Sequence, residues 1–123
     1  MKPKNKTILI VDDSPLVLER LREMLSVLSH APAIISATHY AEAVAIIHHD
    51  SPDIVLLDVN LPDKSGVGLL RYIKLNFPRI IVFMISNQYA PYYSKLCESL
   101  GAVRFFDKSK EFHLIPEALE PFL

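Results

Sequence analysis

Five residues of this chain could do chemistry together if folding brings them to one place: Asp12, Asp13, Asp58, Ser86 and Lys108. Each acid or partner follows a short apolar run, Thr7-Ile-Leu-Ile-Val11 before the acid pair and Ile54-Val-Leu-Leu57 before Asp58. Three crowded carboxylates repel one another at neutral pH, and either a raised pKa or a hard cation must offset that. Mg2+ suits a site with a few carboxylates, several waters and a phosphate oxygen. Lys108 adds a point positive charge and Ser86 a hydroxyl donor. Both suit a phosphoryl group, whose transfer depends on positioning and on neutralising charge over its equatorial oxygens. A carboxylate can be the nucleophile in such a step.

The elements that must position these groups can be read from hydrophobic periodicity. Thr7 to Val11 is a β-branched and aliphatic run with the pattern of a strand buried on both faces. Ser14-Pro15 then supplies an N-cap and a proline at the first helical position. Val17, Leu21, Met24, Leu25 and Leu28 share one face of the helix that follows. The pattern repeats: strand Ala33 to Ala37, helix His39 to His49, strand Ile54 to Leu57 ending at Asp58, and helix Val67 to Phe77 stopped by Pro78. It continues with strand Ile80 to Ile85, helix Pro91 to Leu100 capped by Gly101, and strand Val103 to Phe106. A last helix is expected from Phe112 to Leu123, with its regular part beginning near Ile115 because Pro116 fits only a first turn. Five strands alternating with five helices predict an α/β fold with a parallel sheet covered on both faces. In such a sheet, ligands bind beyond the carboxyl ends of the strands, where all five residues stand.

Composition narrows the function. With 123 residues, half of them apolar, one packed domain spanning 1–123 is expected. A formal net charge of -1 and no long basic run point away from nucleic acid or an anionic membrane as the main partner. Lys2, Lys4 and Lys6 read as a solvated tail. Cys97 is the only cysteine, so no internal disulfide can form, and a reducing, cytoplasmic setting is expected. The apolar runs are far shorter than a membrane span, and no apolar signal core follows the N-terminal lysines.

Taken together, Val11-Asp12-Asp13-Ser14, Leu57-Asp58-Val-Asn-Leu-Pro62 with Gly66, Ile85-Ser86-Asn87, Gly101-Ala102 and Phe105-Phe-Asp-Lys108 resemble the receiver domain of two-component response regulators over essentially the whole chain. The resemblance implies a flavodoxin-like strand order 2-1-3-4-5. It implies Asp58 as phosphoacceptor, and Mg2+ (or Mn2+) held by Asp12, Asp13, Asp58 and the backbone carbonyl of Asn60. Lys108 would contact the acyl phosphate, Ser86 would hydrogen-bond the phosphoryl group, and Phe105 would be the aromatic switch. The phosphoryl donor would be a histidine kinase or a histidine phosphotransfer protein. The output would be a downstream protein or the chain's own dimer, met through helix four, strand five and helix five. Such a module assists its own phosphoryl transfer and dephosphorylation without being a turnover enzyme. No output domain follows Leu123, so a stand-alone receiver and a piece of a longer regulator are both open.

Three departures from the family pattern stand out. Ser109, a common variant, follows the lysine where proline is commonest. Asn87 follows the switch hydroxyl where a small residue is usual, near the path to Asp58. Phe106-Asp107 is a bulkier pair than usual before the lysine. Each site residue also has a plain structural reading: Asp12 and Asp13 as helix caps, Asp58 as a loop acid, Lys108 as a surface lysine. Tyr93 and Cys97 read as core and Tyr92 as an exposed contact, while His30, His39, His48, His49 and His113 read as non-catalytic. Two other functions compete. A haloacid-dehalogenase-type phosphatase uses similar groups, but there the acid pair comes last and a second aspartate sits where Asn60 stands. An interaction module that keeps the fold without phosphorylation is the other alternative.

Overall fold

The apolar runs form five parallel strands, each followed by a helix, in a computed structural model that describes residues 5–87 and 91–123. In chain order these are β1 (Thr7–Val11), α1 (Pro15–Ser26), β2 (Ala33–Ala37), α2 (Tyr40–Asp50), β3 (Ile54–Asp58), α3 (Gly66–Asn76), β4 (Ile81–Ser86), α4 (Pro91–Ser99), β5 (Arg104–Asp107) and α5 (Ile115–Leu119). One-turn 3-10 segments at Phe112–Leu114 and Glu120–Phe122 flank α5. The strand order is β2-β1-β3-β4-β5, as the resemblance implied. The order reverses between β1 and β3, so the switch-point crevice of a doubly wound sheet opens between the ends of these two strands.

Alternation along the strands divides the core into two layers. Leu9, Val11, Val55, Leu57, Val82, Met84 and Phe105 pack with Ala43, Ile47, Leu69, Leu70, Ile73 and Cys97 of α2, α3 and α4. Ile8, Ile10, Ile54, Leu56, Phe83, Ile85 and Phe106 pack with Leu21, Leu25, Ile115 and Leu119 of α1 and α5. Both faces of β1, β3 and β4 are therefore sealed, and each fully buried aliphatic side chain contributes about 1.5–3 kcal/mol. This rigid sheet fixes where the strand tips end.

Helix boundaries follow local chemistry. Ser14 caps α1, its hydroxyl accepting from the Val17 N–H at 3.3 Å, with Pro15 as the first helical residue. Gly101 has φ of 107°, and the Ala102 N–H reaches back to the Cys97 carbonyl at 3.0 Å, closing the end of α4 in the manner expected of a left-handed glycine.

Some expectations shift. β4 and β5 start one residue later than the apolar runs, leaving Ile80 and Val103 outside the strands. The C-terminal helix is regular over five residues only, beginning at Ile115; Pro116 fills its first turn, and the chain tightens to 3-10 geometry from Glu120. Cys97 is fully buried and Tyr92 exposed as read from sequence, but Tyr93 is 42% exposed and not core. Its ring stands edge-on to that of Tyr92 at 5.6 Å instead of against the sheet. Among the described residues, no helix is long and apolar enough to cross a membrane.

Candidate functional site

Strand register alone brings the candidate residues together. Val11 pairs with Leu57, so the next residues, Asp12 and Asp58, meet at the ends of adjacent strands. Asp58 pairs with Ile85, which puts Ser86 one step further out on β4, and Ser86 pairs with Asp107, which puts Lys108 one step beyond that. Asp12 and Asp58 thus end level, and Ser86 and Lys108 each emerge one residue further out, rising from β3 to β5.

The lysine returns across this slope. Lys108 Nζ lies 2.5 Å from Asp12 Oδ2 and 3.0 Å from Asp58 Oδ2, with all three side chains no more than 6% exposed. Asp13 is exposed at the mouth, and one oxygen from each of Asp12, Asp13 and Asp58 lies within 4.8 Å of the others. Asp12 does two jobs: its Oδ1 accepts the Ser14 N–H at 2.9 Å at the start of α1, and its Oδ2 points into the cluster. That buried Oδ2 makes no hydrogen bond of acceptable geometry, so its contact with the ammonium is a close ion pair. A buried carboxylate oxygen paired only in this way retains acceptor capacity.

The β3–α3 loop frames Asp58. Asn60 donates its N–H to Asp58 Oδ1 at 3.1 Å, Val59 N–H donates to the Ile85 carbonyl at 3.1 Å, and Gly66 N–H to the Val59 carbonyl at 2.7 Å. A Cβ on Gly66 would lie 1.9 Å from the Asp58 carbonyl oxygen, so only glycine lets α3 start this close to the acid. Further along, Asp63 turns away and caps α2, accepting from Tyr40 N–H at 2.8 Å and Ala41 N–H at 3.1 Å.

Electrostatics separates these acids. Burial pushes the Asp58 carboxyl above its ordinary value and the Asp12 charge adds to the rise, against the opposing pull of Lys108 and the Asn60 N–H. Burial alone would lower the Lys108 ammonium, but its close contact with the Asp12 carboxylate and the charges of Asp58 and Asp12 outweigh that and raise it. The lysine is therefore charged at neutral pH. Two or three acids with one ammonium leave the pocket net negative, which fits a divalent cation with oxygen ligands. Asp12, Asp13 and Asp58 have the donor chemistry and spacing for one.

Ser86 is buried and Asn87 exposed at the rim. Phe105 is 4% exposed in the layer beneath α4, beside a cleft of about 420 Å3 lined by Ser94, Phe105, Asp107, Lys110 and Glu111. A larger cavity of about 540 Å3 lies at the opposite, amino end of the sheet, between Lys6, Pro52, Phe77, Arg79, Ile80 and Phe122. It contains none of the five chemical groups. Sequence reasoning passed over two supports of the site. The Asp63 cap bridges more than twenty residues and leaves no local sign. The bonds between Asp107 and Ser109 do have one, an aspartate two residues before a serine in a turn.

Comparison with known proteins places the chain in a family and a fold. A family model described as the response regulator receiver domain matches residues 8–120. The DNA-binding transcriptional activator EvgA of Escherichia coli K12 is 28% identical over 112 residues, covering 91% of this chain and 54% of EvgA. The protein-glutamate methylesterase/protein-glutamine glutaminase 2 of Carboxydothermus hydrogenoformans is 37% identical over 79 residues, 64% of this chain and 22% of that protein. The chain thus spans about half the length, or less, of these curated relatives. Among solved structures, the signal receiver domain of a DNA binding response regulator protein (merR) from Colwellia psychrerythraea 34H superposes with a TM-score of 0.88 at 24% identity, covering 96% of this chain and 98% of that one. The Mn(2+)-bound form of response regulator Rcp1 gives 0.83 at 24% identity, covering 95% and 93%. These structures speak for the fold; the family match, with the acids and lysine gathered at the strand ends, shows that the chain belongs to the response regulator receiver domain family of two-component phosphorelay signalling.

Proposed function

We propose that residues 1–123 form one receiver domain in which Asp58 is the phosphoacceptor, with Asp12, Asp13, Asp58 and the Asn60 carbonyl holding Mg2+ or Mn2+. The observation that carries this reading is the Lys108 ammonium set between Asp12 and Asp58 in a buried acidic pocket at the sheet's switch point. When bound, the dication would neutralise the acids and the oxygens of the incoming phosphoryl group.

The chain's own groups account for the rest. A carboxylate oxygen of Asp58 attacks the phosphorus of a phosphohistidine on a kinase or phosphotransfer protein. A P–O bond forms as the donor's P–N bond breaks, and the histidine nitrogen takes up a proton. The Asn60 N–H holds Oδ1 and the Lys108 ammonium holds Oδ2, so the carboxylate is oriented before the donor arrives. Lys108 then stabilises the acyl phosphate, and the Ser86 hydroxyl turns to donate to a phosphoryl oxygen. Asn87, exposed beside Ser86, narrows the path to Asp58.

Movement of Ser86 on β4 reaches Phe105 through the adjacent strand, where Met84 pairs with Phe105. The neighbouring cleft, which Phe105 lines, would offer the ring another position. The two states would present α4, β5 and α5 differently to a downstream protein or a second copy, with Tyr92 70% exposed on that face. A decisive switch needs partners that distinguish the states by roughly a few kcal/mol. Cytoplasmic placement, with no role for nucleic acid or membrane at this domain, goes with this reading.

Incubation with Mg2+ and acetyl phosphate, followed by intact mass, tests it. The expected result is a gain of one phosphoryl group that Asp58→Asn abolishes. An unchanged mass would favour the unphosphorylated interaction module, and many donor turnovers without labelling would favour a phosphatase.

A further inference from the structure

Lys108 reaches the acids from a turn that is closed by side chains. Asp107 Oδ1 accepts both the Ser109 N–H at 2.9 Å and the Ser109 hydroxyl at 2.6 Å. Lys108 is the middle residue of the ring these bonds close. Asp107 N–H donates to Glu111 Oε1 at 3.1 Å, and Glu111 N–H donates back to the Asp107 carbonyl at 2.8 Å. On the other side, the Lys108 N–H donates to the Ser86 carbonyl at 2.9 Å. Asp107 is itself only 8% exposed. Serine stands here where the family most often has proline, and only a residue other than proline offers the N–H that Asp107 takes.

A lysine ammonium rides on four flexible carbons, so its place depends on how firmly its Cα is held. The β4–β5 ladder holds the Lys108 backbone from the strand side alone. We infer that Asp107 and Ser109 are paired positioning residues that aim the Lys108 ammonium between Asp12 and Asp58. The residues before and after the lysine are then one device. Ser109's hydroxyl, and after it Ser109's N–H, hold the Asp107 carboxyl below the usual carboxylate range, so it stays an ionised acceptor across neutral pH.

The inference rests on the role of Lys108 proposed above, and its test has a readout that does not depend on phosphorylation. In 15N-lysine NMR of the whole chain, the paired Lys108 ammonium should give a signal distinct from those of solvent-exposed lysines. Asp107→Ala should move it toward them. Asp107→Asn, which keeps an oxygen for both Ser109 donors, should leave it in place. Acetyl phosphate labelling should slow on the order of 10-fold in Asp107→Ala, because small misplacements of a catalytic group are costly. In a Lys108→Ala background, Asp107→Ala should add no further loss, since it acts through the lysine. An Ile73→Val core variant should change neither readout, whatever it does to thermal stability. If Asp107→Ala does not fold, Ser109→Ala, which removes only the hydroxyl bond, should shift the same signal by less. A Lys108 signal and labelling rate unchanged in the foldable variant, or additive losses in the double variant, would overturn the inference. Absence of labelling in the wild type would instead count against Asp58 as phosphoacceptor, and the lysine signal would still decide this point.

Discussion

Asp58 and Asp63 stand five residues apart on one stretch of chain, yet the fold displaces them in opposite directions. Asp58 ends a fully buried strand, and loss of solvent raises its carboxyl despite the ammonium beside it. Asp63 is exposed on the loop; desolvation is the largest single influence on it and would raise its carboxyl, but the N–H groups of Tyr40 and Ala41 at the start of α2 and its own N–H together outweigh that and lower it. The helix N-terminus favours that negative charge as well. One acid is committed to structure by hydrogen bonds. The other is held in a place where burial makes its charge costly. The difference shows that an aspartate's chemistry here comes from its solvent and donors, not from its residue type.

The largest expected effect comes from the backbone just after the two acids, where α3 starts against Asp58. Gly66→Ala should destabilise the chain by about 3 kcal/mol or more in denaturant unfolding, because its Cβ would meet the Asp58 carbonyl oxygen and cannot be relieved by a side-chain rotation. A near wild-type midpoint would mean that the loop is looser than described. Next is Asp13→Ala, which removes one of the three clustered acids and should weaken Mg2+ or Mn2+ affinity on the order of 10-fold in a titration. Asp63→Ala should leave that affinity near wild type while lowering the thermal midpoint, since Asp63 serves the helix. Equal losses of affinity in both variants would erase the distinction between the two acids.

The pH dependence of stability should separate them more finely. Asp58 binds its proton more tightly in the folded chain. Its contribution is full below the unfolded value of about pH 3.9 and is lost as pH rises through its elevated native value. Without added metal, Asp58→Asn should therefore gain stability relative to wild type as pH rises through that window. Asp63 has the opposite sign: its contribution is present above the unfolded value and lost as pH falls through its depressed native value. Asp63→Asn should flatten the acid side of the stability curve, the smallest of these effects. Parallel curves for both variants would contradict the assignment.

Much of this was legible in the residues. The strands announced themselves as β-branched and aliphatic runs, and because parallel strands end together at one edge, reading the first one or two residues after the runs found Asp12, Asp58, Ser86 and Lys108. The ends of elements were harder. Tyr93 shares a helical stripe with Cys97, but periodicity marks a face without saying how far along the helix that face is covered. The tail looked helical, yet Pro116 and Pro121 leave room for little more than one regular turn. The Asp63 cap joins residues that only the tertiary fold brings together. Asp107 and Ser109 looked like unrelated departures until their hydrogen bonds joined them.

The central claim is that the acid at the tip of β3 receives the phosphoryl group. An acyl phosphate, unlike a free carboxylate, is reduced by borohydride, which converts a phosphorylated aspartate to homoserine. After acetyl phosphate and Mg2+ treatment, reduction and peptide mapping should find homoserine at position 58 and at no other acid. Homoserine at Asp12 or Asp13, or an intact Asp58 in protein that has gained a phosphoryl group, would contradict the account.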